Sequence, residues 1–209
     1  QAVIAASTGE VLGVNDRRQL AQVTGILRER INAEHMRAGV TLVDPSSAFI
    51  DARAILERDV RLEPFVVIGG PCVIKSGAVL GPFAHVRGGS TVDTGSRVGN
   101  FVEVVRTTLG KDCKALHLSY LGDGVVGDGA NLGAGTVFAN WDGSQHHKTT
   151  IGAHASIGAN TTIVAPAEIG EGAKTGAGAV IVKTQVPAGA TFVGVPAQGV
   201  PSKTSGGEA

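Results

Sequence analysis

The sequence predicts an all-β parallel β-helix built from hexapeptide repeats and preceded by an N-terminal α-helix. Three observations predict it. Aliphatic residues recur every six positions: Ile50, Leu56, Leu62, Ile68, Ile74, Leu80, Val86, Val92, Val98 and Val104 form one unbroken series. After one-residue slips the period resumes at Leu109, Ala115, Leu121, again at Val126, Leu132, Phe138, and finally at Ile151, Ile157, Ile163, Ile169, Thr175, Ile181. Two positions before many of these stands a short side chain, as at Cys72, Ala78, Ala84, Ser90, Ser96, Ala155, Thr161, Ala167 and Ala173. The composition fits the pattern, with 43% apolar residues but only 4% aromatic ones and 31 glycines, which implies a core of small aliphatic layers.

A helix would show spacing near 3.6 and a simple strand strict alternation, and neither produces a period of six. Six is the length of one face of a three-sided coil. Short strands alternate with turns where glycine tolerates positive φ, and the aliphatic side chain points inward at each corner to stack on its equivalent one coil above. A Gly/Val-rich β-sandwich is the competing reading, and it leaves the register of so many positions unexplained. The hexapeptide repeat resembles that of the left-handed β-helix of acyltransferases.

In chain order, residues 1–15 precede the first periodic segment. Asn15 or Asp16 can cap a helix of about twenty residues, with Leu20, Val23, Leu27, Ile31 and Met36 facing inward and Gly25 weakening it modestly; this helix and the short segment after it occupy 16–45 as a linker. The β-helix runs over 46–194. Within it Ala139 to Thr150 break the period and must leave the coil as a loop, the kind of extrusion from a rigid scaffold that carries binding residues. The tail, 195–209, is rich in Pro, Gly and Ser and is expected to be flexible.

With 18 basic and 18 acidic residues the formal charge is zero, so neither a nucleic-acid footprint nor attraction to an anionic membrane is implied. Any anionic ligand has to be met by individually placed side chains. Cys72 and Cys113 form no disulfide framework or metal-spacing pattern, which fits a reducing, cytoplasmic setting. No apolar run approaches the ~20 residues that span a bilayer.

Chemistry is concentrated in a few segments. His117, two residues past the inward Ala115, should reach the outer surface, where a histidine can serve as a base near neutral pH or be merely solvated. Glu103 lies about one coil earlier; it could stack near His117 and fix its tautomer, or be an ordinary exposed charge. The glycine-rich stretch Asn131-Leu132-Gly133-Ala134-Gly135-Thr136 leaves backbone N–H groups open to a developing oxyanion, though it also suits a plain turn. Trp141, the one tryptophan, sits in the polar loop and reads as a ligand or partner contact. His146-His147 lacks a third ligand at firm spacing, so a solvated loop is preferred to a metal site.

Taken together, the motifs GPFAHVR (81–87), VGNFVEV (98–104), HLSYLGD (117–123), NLGAGT (131–136), ANWDG (139–143) and IVAPAEIG (163–170) resemble, in order and spacing, the C-terminal part of the bacterial bifunctional N-acetylglucosamine-1-phosphate uridyltransferase and glucosamine-1-phosphate acetyltransferases. The resemblance implies acetyl-CoA-dependent N-acetylation of glucosamine 1-phosphate, a step toward UDP-N-acetylglucosamine, with no metal required. It implies His117 as the base and Glu103 as its support, with Arg87, Tyr120, Asn131 and Asn140 around the sugar phosphate. Acetyl-CoA is implied at Ala134, Asn140, Trp141, Ala159 and Ala177, and the assembly is a homotrimer with sites between subunits. Residues 10–17 resemble the end of the family's nucleotidyltransferase domain, so 1–15 read as its remnant and uridyl transfer is not expected of this chain. Three positions depart from the pattern: Val105 stands where the family offers a lysine to the phosphate, Ala159 replaces a serine and Gly194 an arginine near the cofactor. Arg106 is not expected to compensate for Val105, because adjacent strand residues face opposite ways. The coil series before Arg87 is also shorter than the family's. An acetyltransferase for another amine, a non-catalytic trimerisation module and a β-helix zinc hydratase remain as alternatives, the last lacking a histidine at Gly122.

Overall fold

The computed structural model describes residues 12–200; the remnant assigned to 1–15 lies largely outside them. It shows a three-sided parallel solenoid. Up to Thr191–Val193 the strands enter three sheets in strict rotation: the first sheet holds ten strands beginning with Thr41–Leu42, the second eight beginning with Phe49–Ile50, and the third eight beginning with Ile55–Leu56. Arg61 pairs with Val79, and Val79 with Arg97, so a regular turn contains eighteen residues. Farther along Arg97 pairs with Lys114 and Lys114 with Asn131, turns of seventeen that account for the slips in the six-residue period. The fold is the left-handed β-helix, with the chain entering from the helix side.

Most strands are two residues long, the first facing out and the second buried. Every member of the six-residue series, from Ile50 to Ile181, is buried. These side chains stack along the axis as one continuous core, and Phe138 is its largest fully buried member. The aliphatic positions lie on the flat faces rather than at the corners, which corrects the expected placement. The residues two positions earlier are short, mostly Ala, Ser, Cys or Thr together with Val60, Val66 and Val102, and are buried beside the corners.

Nor is positive φ left to glycine. Phe65, Phe83, Phe101 and Leu118 adopt φ of 61, 56, 55 and 51° on one edge of the prism. L-residues in that region are strained by about 1–2 kcal/mol each relative to ordinary conformations. The three rings stack, with centroids 4.9 and 5.0 Å apart, and all four side chains are exposed, Leu118 to 64%.

Helix α1 spans Arg17–Arg37, and Asp16 caps it by accepting from the Gln19 amide. Its expected inward face holds in part: Ile31 packs half-buried against the core and Val23 is half-buried, whereas Leu20, Leu27 and Met36 are exposed and the one fully buried residue is Asn32. The helix rests on the first turn alone, where the Asn32 side-chain amide donates to the Pro45 and Ala48 carbonyls. A helix held at a single stripe leaves most of its apolar residues outside.

The tail also differs from expectation. Gln198–Val200 folds back antiparallel on Thr191–Val193 and ends the first sheet, a pairing that covers an edge which parallel stacking would leave open. The remaining tail, 201–209, lies outside the described residues. The loop leaves the coil after Val137–Ala139 and re-enters at Thr149–Ile151, starting one residue after and ending two residues before the expected bounds.

Candidate functional site

The parallel register places the candidate residues in two groups. Asn131 pairs with Lys114 and with Ser156, and Ser156 with Lys174. Following the register three residues on, His117, Ala134, Ala159 and Ala177 fall one above another at the corner between the first and second sheets, roughly 4.8 Å per step. His117 begins this column and is exposed, as expected. Ala159 and Ala177 are exposed too, and no side chain longer than a methyl intrudes above the histidine. Among the described residues the N–H groups of Ala134, Ala159 and Ala177 meet no acceptor, whereas the next amides in the same turns, those of Asn160 and Gly178, donate to the Ala134 and Ala159 carbonyls. The column is thus a strip of small residues with outward donors. Asn131 is exposed on the first sheet, three residues before Ala134.

The second group lies on the second sheet. Glu103 pairs in register with His85 below and Tyr120 above. Its carboxylate accepts from Arg87 Nη1 at 3.3 Å and lies 3.8 Å from His85 Nδ1. The expected support of His117 by Glu103 is therefore not made within the chain. One coil below His117 stands Asn100, while Glu103 is already around the corner on another sheet.

Tyr120 and Asn140 are drawn together by a missing side chain. A β-carbon on Gly122 would stand 2.8 Å from the Tyr120 hydroxyl and 2.5 Å from Asn140 Nδ2. Asn140 is 5% exposed and donates through Nδ2 to Asp123. Trp141 follows it in the loop, 54% exposed, with its ring 4.9 Å from that of His146. Asp142 pins the loop by accepting from the Ser144 and Gln145 amides and pairing with His147 at 2.6 Å. Because an added β-carbon meets only side-chain atoms, Asn140 Nδ2 and the Cε1 and hydroxyl of Tyr120, and no backbone among its nearest neighbours, Gly122→Ala should keep the fold, with the melting temperature moving by only a few degrees. Displacing Tyr120 and Asn140 by about 1 Å should nevertheless cost one to two decades in activity; steady-state kinetics beside a thermal melt will separate the two effects.

Sequence reasoning missed the pair at the next corner. Arg106 and Asp123 both adopt positive φ, 47 and 53°. Arg106 Nε and Nη2 reach the Asp123 carboxylate at 2.6 and 2.7 Å. His146 Nδ1 stands 3.1 Å from the same carboxylate. The Arg106 guanidinium holds the Asp123 carboxyl below its ordinary range, burial opposes this and the Asn140 amide adds to it. The signal was present in the seventeen-residue spacing of 106, 123 and 140, legible only once turn lengths are known. The alternation argument against Arg106 does not apply, since the strand ends at Val105 and Arg106 is a corner residue. Val105 itself is 2% exposed.

Residues 148–183 match the family described as bacterial transferase hexapeptide (six repeats). The bifunctional protein GlmU of Synechococcus elongatus is 41% identical over 225 aligned positions that take in 92% of this chain. Over nearly its whole length the chain is similar to about half of that GlmU protein. The GlmU proteins of Clostridium tetani and Mycobacterium ulcerans are 36% and 40% identical, over 91% and 88% of the chain. The chain spans about half the length of these GlmU relatives, 50%, 49% and 44% respectively. Among solved structures, the UDP-N-acetylglucosamine O-acyltransferase (LpxA) of Moraxella catarrhalis shares the fold, with a TM-score of 0.53 and 19% identity over 80% of this chain and 74% of its own. Since 225 aligned positions correspond to 92% of 209 residues here, about thirty positions of that GlmU have no counterpart, close to two turns; loss of whole turns leaves a solenoid's stacking intact.

Proposed function

We propose that the chain transfers an acetyl group from acetyl-CoA to the amine of glucosamine 1-phosphate, by direct attack, in a homotrimer whose sites lie between subunits. The observation that carries this reading is the column above His117. A long, narrow thioester fits a strip that presents only methyl groups and unoccupied N–H donors, and the histidine stands at its end. The GlmU relationship supports the acceptor.

In this mechanism His117 takes the proton from the sugar amine as its nitrogen attacks the thioester carbonyl carbon. The Ala134 N–H faces the oxygen on which charge develops. His117 then returns the proton to the departing sulfur as the carbon–sulfur bond breaks. Acetyl-CoA supplies the activated acyl group, and no covalent bond to the protein is needed. Tyr120, Asn131, Arg87 and Asn140 position the acceptor, Asn140 and Trp141 also border the cofactor, and Ala159 and Ala177 leave the cofactor's length unobstructed.

The homotrimer is supported by the exposed apolar edge of Phe65, Phe83, Phe101 and Leu118, and by the separation of the two groups of site residues across a full sheet. A cytoplasmic setting is supported by Cys72 and Cys113, both buried and unpaired. No helix among the described residues is long and apolar enough to cross a membrane.

The test is release of free thiol from acetyl-CoA on addition of glucosamine 1-phosphate. Acceptor-dependent release is expected; its absence would sink the reading. The burial of Val105 favours one second reading, an amino sugar without a phosphate, which would show as faster turnover of free glucosamine in the same assay.

A further inference from the structure

We propose that Arg106, fixed by Asp123 at the corner between the second and third sheets, is the anion anchor and specificity residue of the acceptor site, turning one guanidinium edge toward a sugar phosphate. The inference rests on the acetyl-transfer reading for the identity of the sugar, and on geometry for the anchor. Nε and Nη2 are committed to Asp123 at 2.6 and 2.7 Å, which removes the rotamer freedom that an exposed arginine would lose on binding. Nη1 donates to nothing among the described residues, and the side chain stays 45% exposed. Asp123, only 17% exposed, is saturated by Arg106, the Asn140 amide and His146, so it does not compete for the outer edge.

The surroundings favour an anion. Arg106, Asp123, His146, His147 and Lys148 line one cleft, and Asp123 is its single acid. His147 is held by Asp142 outside that set, and Lys148 pairs with no acid among the described residues, leaving Arg106 and Lys148 against one carboxylate. Tyr120 and Asn140 meet over Gly122, one residue before Asp123, so the anchor adjoins the residues assigned to the acceptor. A planar guanidinium offering paired N–H groups suits the geometry of phosphate.

The experiment uses the full chain with glucosamine 1-phosphate, free glucosamine and inorganic phosphate. A charge-assisted hydrogen bond is worth about 1.5–3 kcal/mol, equivalent to about one to two decades of affinity. Arg106→Ala should therefore lower the ratio of kcat/KM for the phosphorylated over the free sugar by about ten- to a hundredfold, while the KM for acetyl-CoA holds. Arg106→Lys, keeping the charge without the fork, should fall between. Equal losses with both sugars in Arg106→Ala would overturn the assignment. Calorimetry of glucosamine 1-phosphate and inorganic phosphate, without acetyl-CoA, reads the anchor independently of turnover. Binding that Arg106→Ala weakens supports the anchor even if acetyl transfer fails; binding that is absent or indifferent to Arg106 overturns it.

Discussion

Replacing His117 by alanine should lower kcat/KM for acetyl transfer by about 10²–10⁴, the usual contribution of a positioned general base, while the KM for acetyl-CoA changes little. The two parts of this expectation come from different features. The amine must lose a proton to become an amide, and His117 is the one titratable side chain in the column that also contains Ala134, Ala159 and Ala177. Binding of the cofactor, in contrast, is assigned to backbone donors and to the absence of side chains, neither of which the substitution alters. Because His117 is exposed and makes no side-chain hydrogen bond among the described residues, the variant should melt within a few degrees of the parent. Steady-state rates with saturating acetyl-CoA, beside its dissociation constant, check both halves. An unchanged rate would remove His117 from the chemistry, and an equal loss of cofactor affinity would mean that the ring holds the thioester instead.

The periodic part of the fold was legible because it is dictated by burial one residue at a time. Each aliphatic residue in the series from Ile50 to Ile181 has to face the axis, and a six-residue period admits three faces and little else. What the sequence could not state was the length of each turn. A turn of seventeen rather than eighteen residues moves every later side chain around the prism. Glu103, fourteen residues before His117, falls short of a full turn of either length: one coil before His117 is Asn100, and Glu103 meets Arg87 and His85. The same arithmetic hid the Arg106–Asp123–Asn140 ladder. Helix α1 was legible in its boundaries, since Asp16 has a capping side chain, but not in its facing. Amphipathic spacing tells which residues could be covered, and only the first turn of the solenoid decides that Asn32 is covered while Leu20 and Leu27 are not.

The edge formed by Phe65, Phe83, Phe101 and Leu118 yields the other large effect, and its two consequences have opposite signs. Bulky side chains at φ near 55° are costly in an isolated chain, and asparagine tolerates that region far better. Phe83→Asn with Phe101→Asn should accordingly leave the single solenoid at least as stable, since the rings it removes are 44% and 57% exposed and add little to the core. If the edge is the contact between subunits, the same double substitution should dissociate the trimer and abolish transfer, by two decades or more, although neither residue belongs to the assigned site. The reason is spatial. His117 and its column lie at one corner of the second sheet, while Asp123 and Asn140 lie at the other, so a chain alone presents the parts of a site on separate edges. A neighbouring chain seated against the phenylalanines, beside Leu118 and hence beside His117, can bring its own acceptor-binding face to this histidine. Sedimentation of the double variant with activity measured on the same sample tests the argument: a monomer without activity is expected, and a trimer that retains full activity would show that the edge is not the contact. A monomer with full activity would be more damaging still, because it would place a complete site within one chain.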